Sequence, residues 1–434
     1  MSLTKTPLKQ DDTQRFSAPL IQLTSQVLGE LLSFKNPADA VLSRFFKEHK
    51  ETGQRDRAFI AEHAFDVLRH LRGAKRFAGA RATPRQLLLA WWVRGAGVAV
   101  RRLEGAIKSE EFKILGELKG QTLPSITLGE QCEMPDWLVE QLLAQMPQAD
   151  LLALALSLNQ PAPLDLRVNT LKTNREAALL ALQAEGMEAQ PTPYSPLGLR
   201  MQGKPSVNRG ELFKTGAIEV QDEGSQLLAY LVQPKRSEFV VDFCAGAGGK
   251  TLALGAMMRS TGRLYAMDVS EGRLIKLKGR MSRAGLSNVH PTLLANERDA
   301  KLKRMLGKAD RVLVDAPCTG LGTLRRNPDL KWRQSPEAVL EMSAKQLAIL
   351  TAAARLVRPG GRLVYATCSI LKAENDDVVD AFLAAHPDFS AEHAGEILAS
   401  QGIEGLEAQA RLNLSPLAQG TDAFFAAVFV KRSA

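Results

Sequence analysis

Cysteine is scarce in this 434-residue chain, with four residues at positions 132, 244, 318 and 368. They are too few and too scattered for a disulfide framework. No two form a C-x-x-C pair, so a metal site is not expected. Long apolar runs are also missing. The richest patch, Leu87–Val93, is flanked by Arg85 and Arg94, and no stretch reaches membrane-spanning length. The first residues, MSLTKTPLKQDDTQRF, are polar and lack the apolar core of a secretory signal. These absences point to a reducing cytoplasm, where a cysteine can serve as a nucleophile.

Acid is missing from one region in particular. Between Arg69 and Leu103 stand nine Lys or Arg (Arg69, Arg72, Lys75, Arg76, Arg81, Arg85, Arg94, Arg101 and Arg102) and no Asp or Glu. The whole chain carries a formal charge of +9 and a pI near 9.4, so a polyanionic partner is expected. A charge run is often an ordinary solvated helix face. Nine cations without an acid, in so basic a chain, favour contact with nucleic acid instead, through Arg81, Arg85, Arg101 and Arg102 among others.

What is present has the composition of a soluble globular protein, with 45% apolar and 24% charged residues. The length suggests two or three domains. The chain is organised around EFVVDFCAGAGGKTLALGAMM, Glu238–Met258. Phe239, Val240, Val241 and Phe243 read as a buried parallel strand. Gly246, Gly248 and Gly249 make a turn without Cβ atoms, and a helix pattern begins at Lys250. A strand, a glycine turn and a helix N-terminus form the nucleotide corner of a doubly wound sheet.

Two nucleotide readings compete at this turn. Gly249-Lys250-Thr251 looks like the tail of a P-loop, but Cys244 stands where that pattern needs glycine. A ribose-containing cofactor needs an acid about twenty residues on, and Asp268 ends the next strand eighteen residues after Lys250. The pairing of turn and acid favours the second reading.

Three parts are expected. Residues 1–125 are the first, reading as helices from about 17 to 120, with Ile21, Val27, Leu28 and Leu31 and then Phe59, Ile60, Ala64 and Val67 at helical spacing. Trp91 and Trp92 are expected in the core rather than stacked on bases. Residues 126–225 read as a linker and a small α+β subdomain. From 226 to 434 strand and helix alternate, which implies a parallel sheet with helices on both faces and an active site at the strand carboxyl ends.

That rule selects two cysteines. One predicted strand ends in Asp315-Ala316-Pro317-Cys318 and the next in Thr367-Cys368-Ser369. A single cysteine at a strand end is commonly a small buried hydrophobe. Two at adjacent strand ends, one of them beside an aspartate, fit covalent catalysis better.

The motifs DAPCTGLGTLRRNPDLKW (Asp315–Trp332), ATCS (Ala366–Ser369), CAGAGGK (Cys244–Lys250) and QDEGSQ (Gln221–Gln226) together resemble the RNA (cytosine-5) methyltransferases, in the branch called RsmB, Sun or Fmu. LRVNTLKTN (Leu166–Asn174) is similar to the N-terminal subdomain of that family's catalytic module. GQRDRAFIAEHAFDVLRHLR (Gly53–Arg72) is similar to its NusB-like RNA-binding domain.

The resemblance implies an α/β fold with a Rossmann-like methyltransferase sheet, preceded by the α+β subdomain and an all-helical NusB-like domain. It implies S-adenosylmethionine as cofactor, held by Cys244, Ala245, Gly246, Ala247, Gly248, Gly249 and Lys250 around its methionine part and by Asp268 at the ribose. Asp315 belongs to both the cofactor and the catalytic set. Where the family places an aspartate near adenine, this chain has Asn296, with Asp299 as the alternative.

By the same resemblance Cys368 is the attacking thiol and Cys318 assists release. The residues alone leave these roles open, because DNA cytosine methyltransferases use a Pro-Cys nucleophile. Arg325, Arg326 and Lys331, in the loop after Cys318, are expected on the RNA strand. The implied substrate is small-subunit ribosomal RNA, with no membrane or metal partner and a monomeric state. A transfer RNA substrate, or a non-catalytic assembly factor on a methyltransferase fold, are the alternatives. Ala247 replaces a frequent proline and Ala423 a frequent glycine, and neither change removes a reacting group.

Overall fold

The computed structural model describes residues 16–122 and 125–433. The chain divides into two compact units. One comprises the residues up to Gln160 together with Leu324–Pro336, the other Pro161–Thr323 and Glu337 onward.

The first unit is helical: α1 Ala18–Leu31, α2 Ala38–Glu48, α3 Gln54–Arg69, α4 Leu71–Ala78, α5 Pro84–Ala90, α6 Ser109–Gly120, α7 Leu128–Cys132, α8 Asp136–Leu143 and α9 Gln148–Leu158. Local signals set the starts. Thr83 and Gln86 form a capping box at α5, with Pro84 at the first helical position where a missing N–H costs nothing. Trp92 is fully buried and donates from Nε1 to Nδ1 of His63 at 3.0 Å. Burial lowers the His63 pKa to about 4, which keeps that nitrogen free to accept. Trp91 is also buried and donates to Asp66 Oδ2 at 2.5 Å, so both indoles serve the core.

The second unit opens with β1 Asp165–Val168, α10 Arg175–Ala184, β2 Ala189–Pro191, β3 Gly198–Met201, α11 Glu211–Lys214 and β4 Ile218–Val220. These make a four-stranded antiparallel sheet in the order β2-β3-β1-β4. Then come α12 Glu223–Val232, β5 Phe239–Asp242, α13 Gly249–Met257, β6 Arg263–Asp268, α14 Glu271–Ala284, β7 Val289–Leu293 and β8 Ala309–Asp315.

After β8 the chain enters the segment assigned to the first unit, which holds α15 Leu330–Arg333. It returns through α16 Pro336–Ala354, β9 Val357–Thr367, α17 Asp376–Ala385, β10 Phe389–Glu392, α18 Ala394–Ala399, β11 Leu412–Leu414 and β12 Phe424–Lys431.

The large sheet runs β10-β12-β9-β8-β5-β6-β7, with β11 paired to β12. Five neighbouring strands, from β9 to the edge strand β7, are parallel, as strict alternation with helices requires. The expectation of a wholly parallel sheet fails at one edge. There β12 runs antiparallel to β9 and β10 antiparallel to β12. Two apolar clusters cover the two faces of this sheet. Among the described residues no helix is long and apolar enough to cross a membrane.

The segment 324–336 corrects one expectation. Lys331, expected on RNA, is fully buried within the helical unit, donating to Arg69 O at 2.8 Å and Asn159 Oδ1 at 2.9 Å. Arg325 is buried too, and its carbonyl accepts from Arg69. Trp332 donates from Nε1 to Leu68 O at 2.8 Å. Arg326 is half-buried. A basic loop after a catalytic motif reads as solvated surface. Here the aliphatic stem of Lys331 and the Trp332 ring extend the helical core instead.

Candidate active site

The glycine turn between β5 and α13 is built on backbone that only glycine adopts easily. Gly248 has φ +88°, and a Cβ there would stand 2.2 Å from Leu277 Cδ1. The Gly246 N–H donates to Asp268 Oδ2 at 2.9 Å and the Ser270 N–H to Oδ1 at 2.7 Å. The acid at the end of β6 is therefore fixed by the turn it faces. Each carboxylate oxygen keeps a second lone pair for a hydroxyl.

A cavity of about 640 Å³ opens at this corner. It is lined by Cys244, Ala245, Gly246, Ala247, Gly249, Lys250, Asp268, Asn296 and Asp315. Of the residues expected around the cofactor only Gly248 is absent from the lining, because it turns inward against Leu277. Asn296 lines the cavity and Asp299 does not. The Asp299 carboxylate instead accepts from the N–H groups of Ala295 and Lys301, capping the turn that follows. An acid positioned for hydroxyls, an exposed amide side chain and a glycine turn with open space at Gly246 fit a nucleoside joined to an amino acid.

The turn has supports that sequence reasoning missed. Arg167 of β1 donates to Gly249 O at 2.7 Å and also bonds Gln221 Oε1. Arg280 of α14 donates to Ala247 O at 2.7 Å and to Glu219 Oε2 at 3.0 Å. Two guanidinium groups thus grip carbonyls on either side of Gly248. Their own anchors, Gln221 and Glu219, follow or lie in β4. The motifs LRVNTLKTN and QDEGSQ contain Arg167 and Gln221, but nothing in their spacing gives these partners.

At the end of β8, Asp315 Oδ2 meets the Lys250 Nζ at 2.6 Å. Burial alone would lower the lysine pKa, but Asp315, with Cys368 and Asp242 adding to it, raises it above its ordinary value. The amine is therefore a fixed cation at the cavity wall. Asp242, at the end of β5, is buried, and burial raises its pKa to about 7 even though Thr251 donates to it at 2.6 Å.

The two cysteines expected to react do come together. Cys318 Sγ and Cys368 Sγ are 3.4 Å apart, both half-buried, on the loops that leave β8 and β9. The chain bends closely around them. The Gly322 N–H donates to Cys368 O at 2.8 Å, and a Cβ on Gly322 would stand 2.7 Å from that oxygen. The Cys318 thiol is pushed well above its ordinary pKa by its hydrogen bond to Cys368 and by burial. Burial likewise pushes Cys244 well up and Cys132 to about 11. These three are thiols at neutral pH.

Residues 229–430 match the family described as 16S rRNA methyltransferase RsmB/F, and residues 134–208 match the ferredoxin-like domain of RsmF/B-like methyltransferases. The chain is 30% identical to the ribosomal RNA small subunit methyltransferase B of Citrobacter koseri, across 98% of this chain and 93% of that one. It is 36% identical to the probable ribosomal RNA small subunit methyltransferase B of Synechocystis, across 70% of this chain and 68% of that one. The chain belongs to the RsmB/F methyltransferase family. The crystal structure of PH0851 is similar over 96% of this chain and all of its own, with a TM-score of 0.77 and 26% identity. In this RsmB/F chain the ferredoxin-like domain is the part that supplies Arg167 to the glycine turn.

The basic stretch of the helical unit is more heavily paired than its sequence suggests. Arg85 makes two hydrogen bonds to Glu111, at 2.6 and 2.9 Å. Arg72 pairs with Asp136, Arg76 with Glu130, and Arg69 is buried. Arg102 is half-buried with its guanidinium over the Phe16 ring, while Arg81 and Arg101 are exposed. The acids come from outside the window 69–103, so a local charge count could not reveal them.

Proposed function

We propose that this chain transfers a methyl group from S-adenosylmethionine to C5 of a cytosine in small-subunit ribosomal RNA, through a covalent bond between Cys368 and C6. The observation that carries this reading is the pair of thiols 3.4 Å apart beside the Lys250–Asp315 ion pair at one end of the sheet. The ribosomal substrate rests on the relatives that bear that name.

C5 of cytosine is a poor nucleophile until a thiolate adds to C6. Cys368 Sγ forms that bond, and the ring becomes enamine-like at C5. Asp315 receives the cytosine edge: its Oδ2 is engaged by Lys250, and Oδ1 is the oxygen for the amino group. The Lys250 cation offsets charge that builds on the ring as the thiolate adds. The bound cofactor supplies an electrophilic methyl group. The C5 proton then passes to water, the electron pair of the Cys368–C6 bond returns to sulfur and the aromatic ring is restored, with Cys318 assisting release. Arg81 and Arg101 lead the RNA contacts of the helical unit.

Denaturing gels with labelled RNA and the cofactor test the two thiol roles. Cys368→Ala is expected to give neither methylation nor a covalent complex. Cys318→Ala is expected to accumulate a denaturant-resistant RNA–protein complex. Trapping by Cys368→Ala alone would reverse the roles, and normal methylation by both variants would end the cysteine mechanism. Bisulfite sequencing of RNA from cells lacking the protein locates the cytosine.

A further inference from the structure

One buried carboxylate joins the two cysteine loops. Glu374 lies six residues after Cys368, with no solvent exposure, in the turn that leads into α17. Its Oε1 accepts from the Thr319 N–H at 2.8 Å and from Gln346 Nε2 at 3.0 Å. Its Oε2 accepts from the Thr319 hydroxyl at 2.5 Å and from the Ser369 hydroxyl. Thr319 is the residue after Cys318, and Ser369 is the residue after Cys368.

The grip extends on both sides. Gln346 Nε2 also donates to Pro317 O at 2.9 Å, the carbonyl just before Cys318. Asn375 Nδ2 donates to Ser369 O at 3.0 Å, and the Tyr365 hydroxyl donates to the Glu374 carbonyl at 2.6 Å. Thr319, Ser369 and Gln346 are themselves at most 2% exposed. A buried carboxylate is costly unless donors surround it, and here four donors from three segments converge on two oxygens. Few arrangements satisfy all four, so the loops are held in one register.

We infer that Glu374 is a positioning residue that sets the distance between the Cys318 and Cys368 thiols. The inference rests on the cysteine chemistry proposed above for its catalytic consequence, but not for its geometry. Glu374 touches neither thiol. It acts through Thr319 and Ser369, and its charge also contributes to holding Cys318 as a thiol.

Two readouts separate this role from general stabilisation. Dibromobimane becomes fluorescent when two nearby thiolates each displace one of its bromides, forming two thioethers. Applied to the full chain, with peptide mapping, it reports whether Cys318 and Cys368 stand together. Glu374→Ala should slow that cross-linking about tenfold or more and lower kcat about 100-fold, the scale of an ångström-sized misplacement, while KM for S-adenosylmethionine stays within about twofold. Glu374→Gln should recover much of both, because its amide keeps one acceptor and the Thr319 and Ser369 hydroxyls can turn to accept from the other arm.

Cross-linking at the parent rate in folded Glu374→Ala would overturn the inference. Should that variant fail to fold, parent cross-linking in soluble Thr319→Val with Ser369→Ala, which removes both hydroxyl donors to Glu374 Oε2, would overturn it equally. Slow cross-linking with full methylation would leave the positioning role standing and refute the cysteine mechanism instead.

Discussion

Each unit buries a lysine, and burial works to lower the pKa of both, yet the net shifts are opposite because Lys250 has a carboxylate in contact. In the helical unit, Lys331 is hydrogen-bonded to two neutral oxygens, Arg69 O and Asn159 Oδ1. Burial pushes its pKa down to about 7, against the opposing pull of Glu133. The Glu133 oxygens are engaged by the N–H groups of Arg72 and Gly73. In the catalytic unit, Lys250 has Asp315 at 2.6 Å, and its pKa rises. A buried amine served by carbonyls tends toward neutrality and works as structure. A buried amine with a carboxylate in direct contact stays charged and can act on a substrate.

Removing each amine in turn puts this contrast at greatest risk. Lys250→Met should lower single-turnover methyl transfer about 10²- to 10³-fold, as loss of a fixed charge at a reacting centre does. Lys331→Met should leave the rate of the folded protein within about threefold, because no developing charge depends on it. Equal losses in a methylation time course would show that the two lysines do not differ in kind.

Asp242 poses the same question with the opposite sign of charge. It has the Thr251 hydroxyl as a donor and, among the described residues, no cation in hydrogen-bond contact, and burial raises its pKa to about 7. The folded state then binds more protons than the unfolded chain between about pH 4 and pH 7. Stability should fall as pH rises through that window and level off above it. The ceiling is about 4 kcal/mol, from roughly 1.4 kcal/mol for each pH unit separating the folded and unfolded pKa values. Asp242→Asn should flatten this part of the profile, read by urea unfolding at several pH values. An unchanged slope would mean that Asp242 is ionised in the folded protein like an exposed aspartate.

These contrasts also mark what can be read from sequence. The corner of β5, the glycine turn and Asp268 is local: its strand, turn and helix signals lie within one thirty-residue stretch, and the rule about strand ends brings Cys318 and Cys368 to one rim. The Lys250–Asp315 pair spans 65 residues, and the grip of Arg167 on Gly249 spans 82. No periodicity encodes either, because each depends on which strands become neighbours. The buried state of Lys331 is hidden for another reason. Its segment is basic and carries Asn327 and Pro328, which is the composition of a surface loop, yet it completes a helical core 262 residues distant in sequence from Arg69. Antiparallel β12 is hidden because an apolar strand reads the same in either direction.

In the helical unit the lysine can be tested for a structural role directly. Lys331→Met keeps the apolar stem but leaves Arg69 O and Asn159 Oδ1 without their donor, at a cost of about 2 kcal/mol for two buried acceptors. Denaturant unfolding should show the loss, and methylation by the folded fraction should not. A variant as stable as the parent would mean that the amine contributes nothing beyond its stem.

The smallest expected effect concerns the arginines of the basic stretch, where pairing again separates neighbours. Arg85 is tied to Glu111 by two hydrogen bonds, which raise its pKa further, whereas Arg81 and Arg101 are exposed. A cation already neutralised by a carboxylate releases few counterions from RNA, and an exposed one releases about one per phosphate contact. Arg81→Gln with Arg101→Gln should therefore weaken RNA binding about three- to tenfold at moderate salt and make the log-affinity against log-salt slope shallower by about one to two. Arg85→Gln should leave that slope within error and instead lower stability slightly, by about 0.5 kcal/mol for a partly exposed pair. Filter binding across a salt series decides between the two groups. If Arg85→Gln flattens the slope as much as the exposed pair does, Glu111 yields its partner to RNA and pairing in the free protein is no guide to the binding face. If neither variant changes the slope, phosphate contacts lie elsewhere, and the nine cations of this stretch serve the helical unit alone.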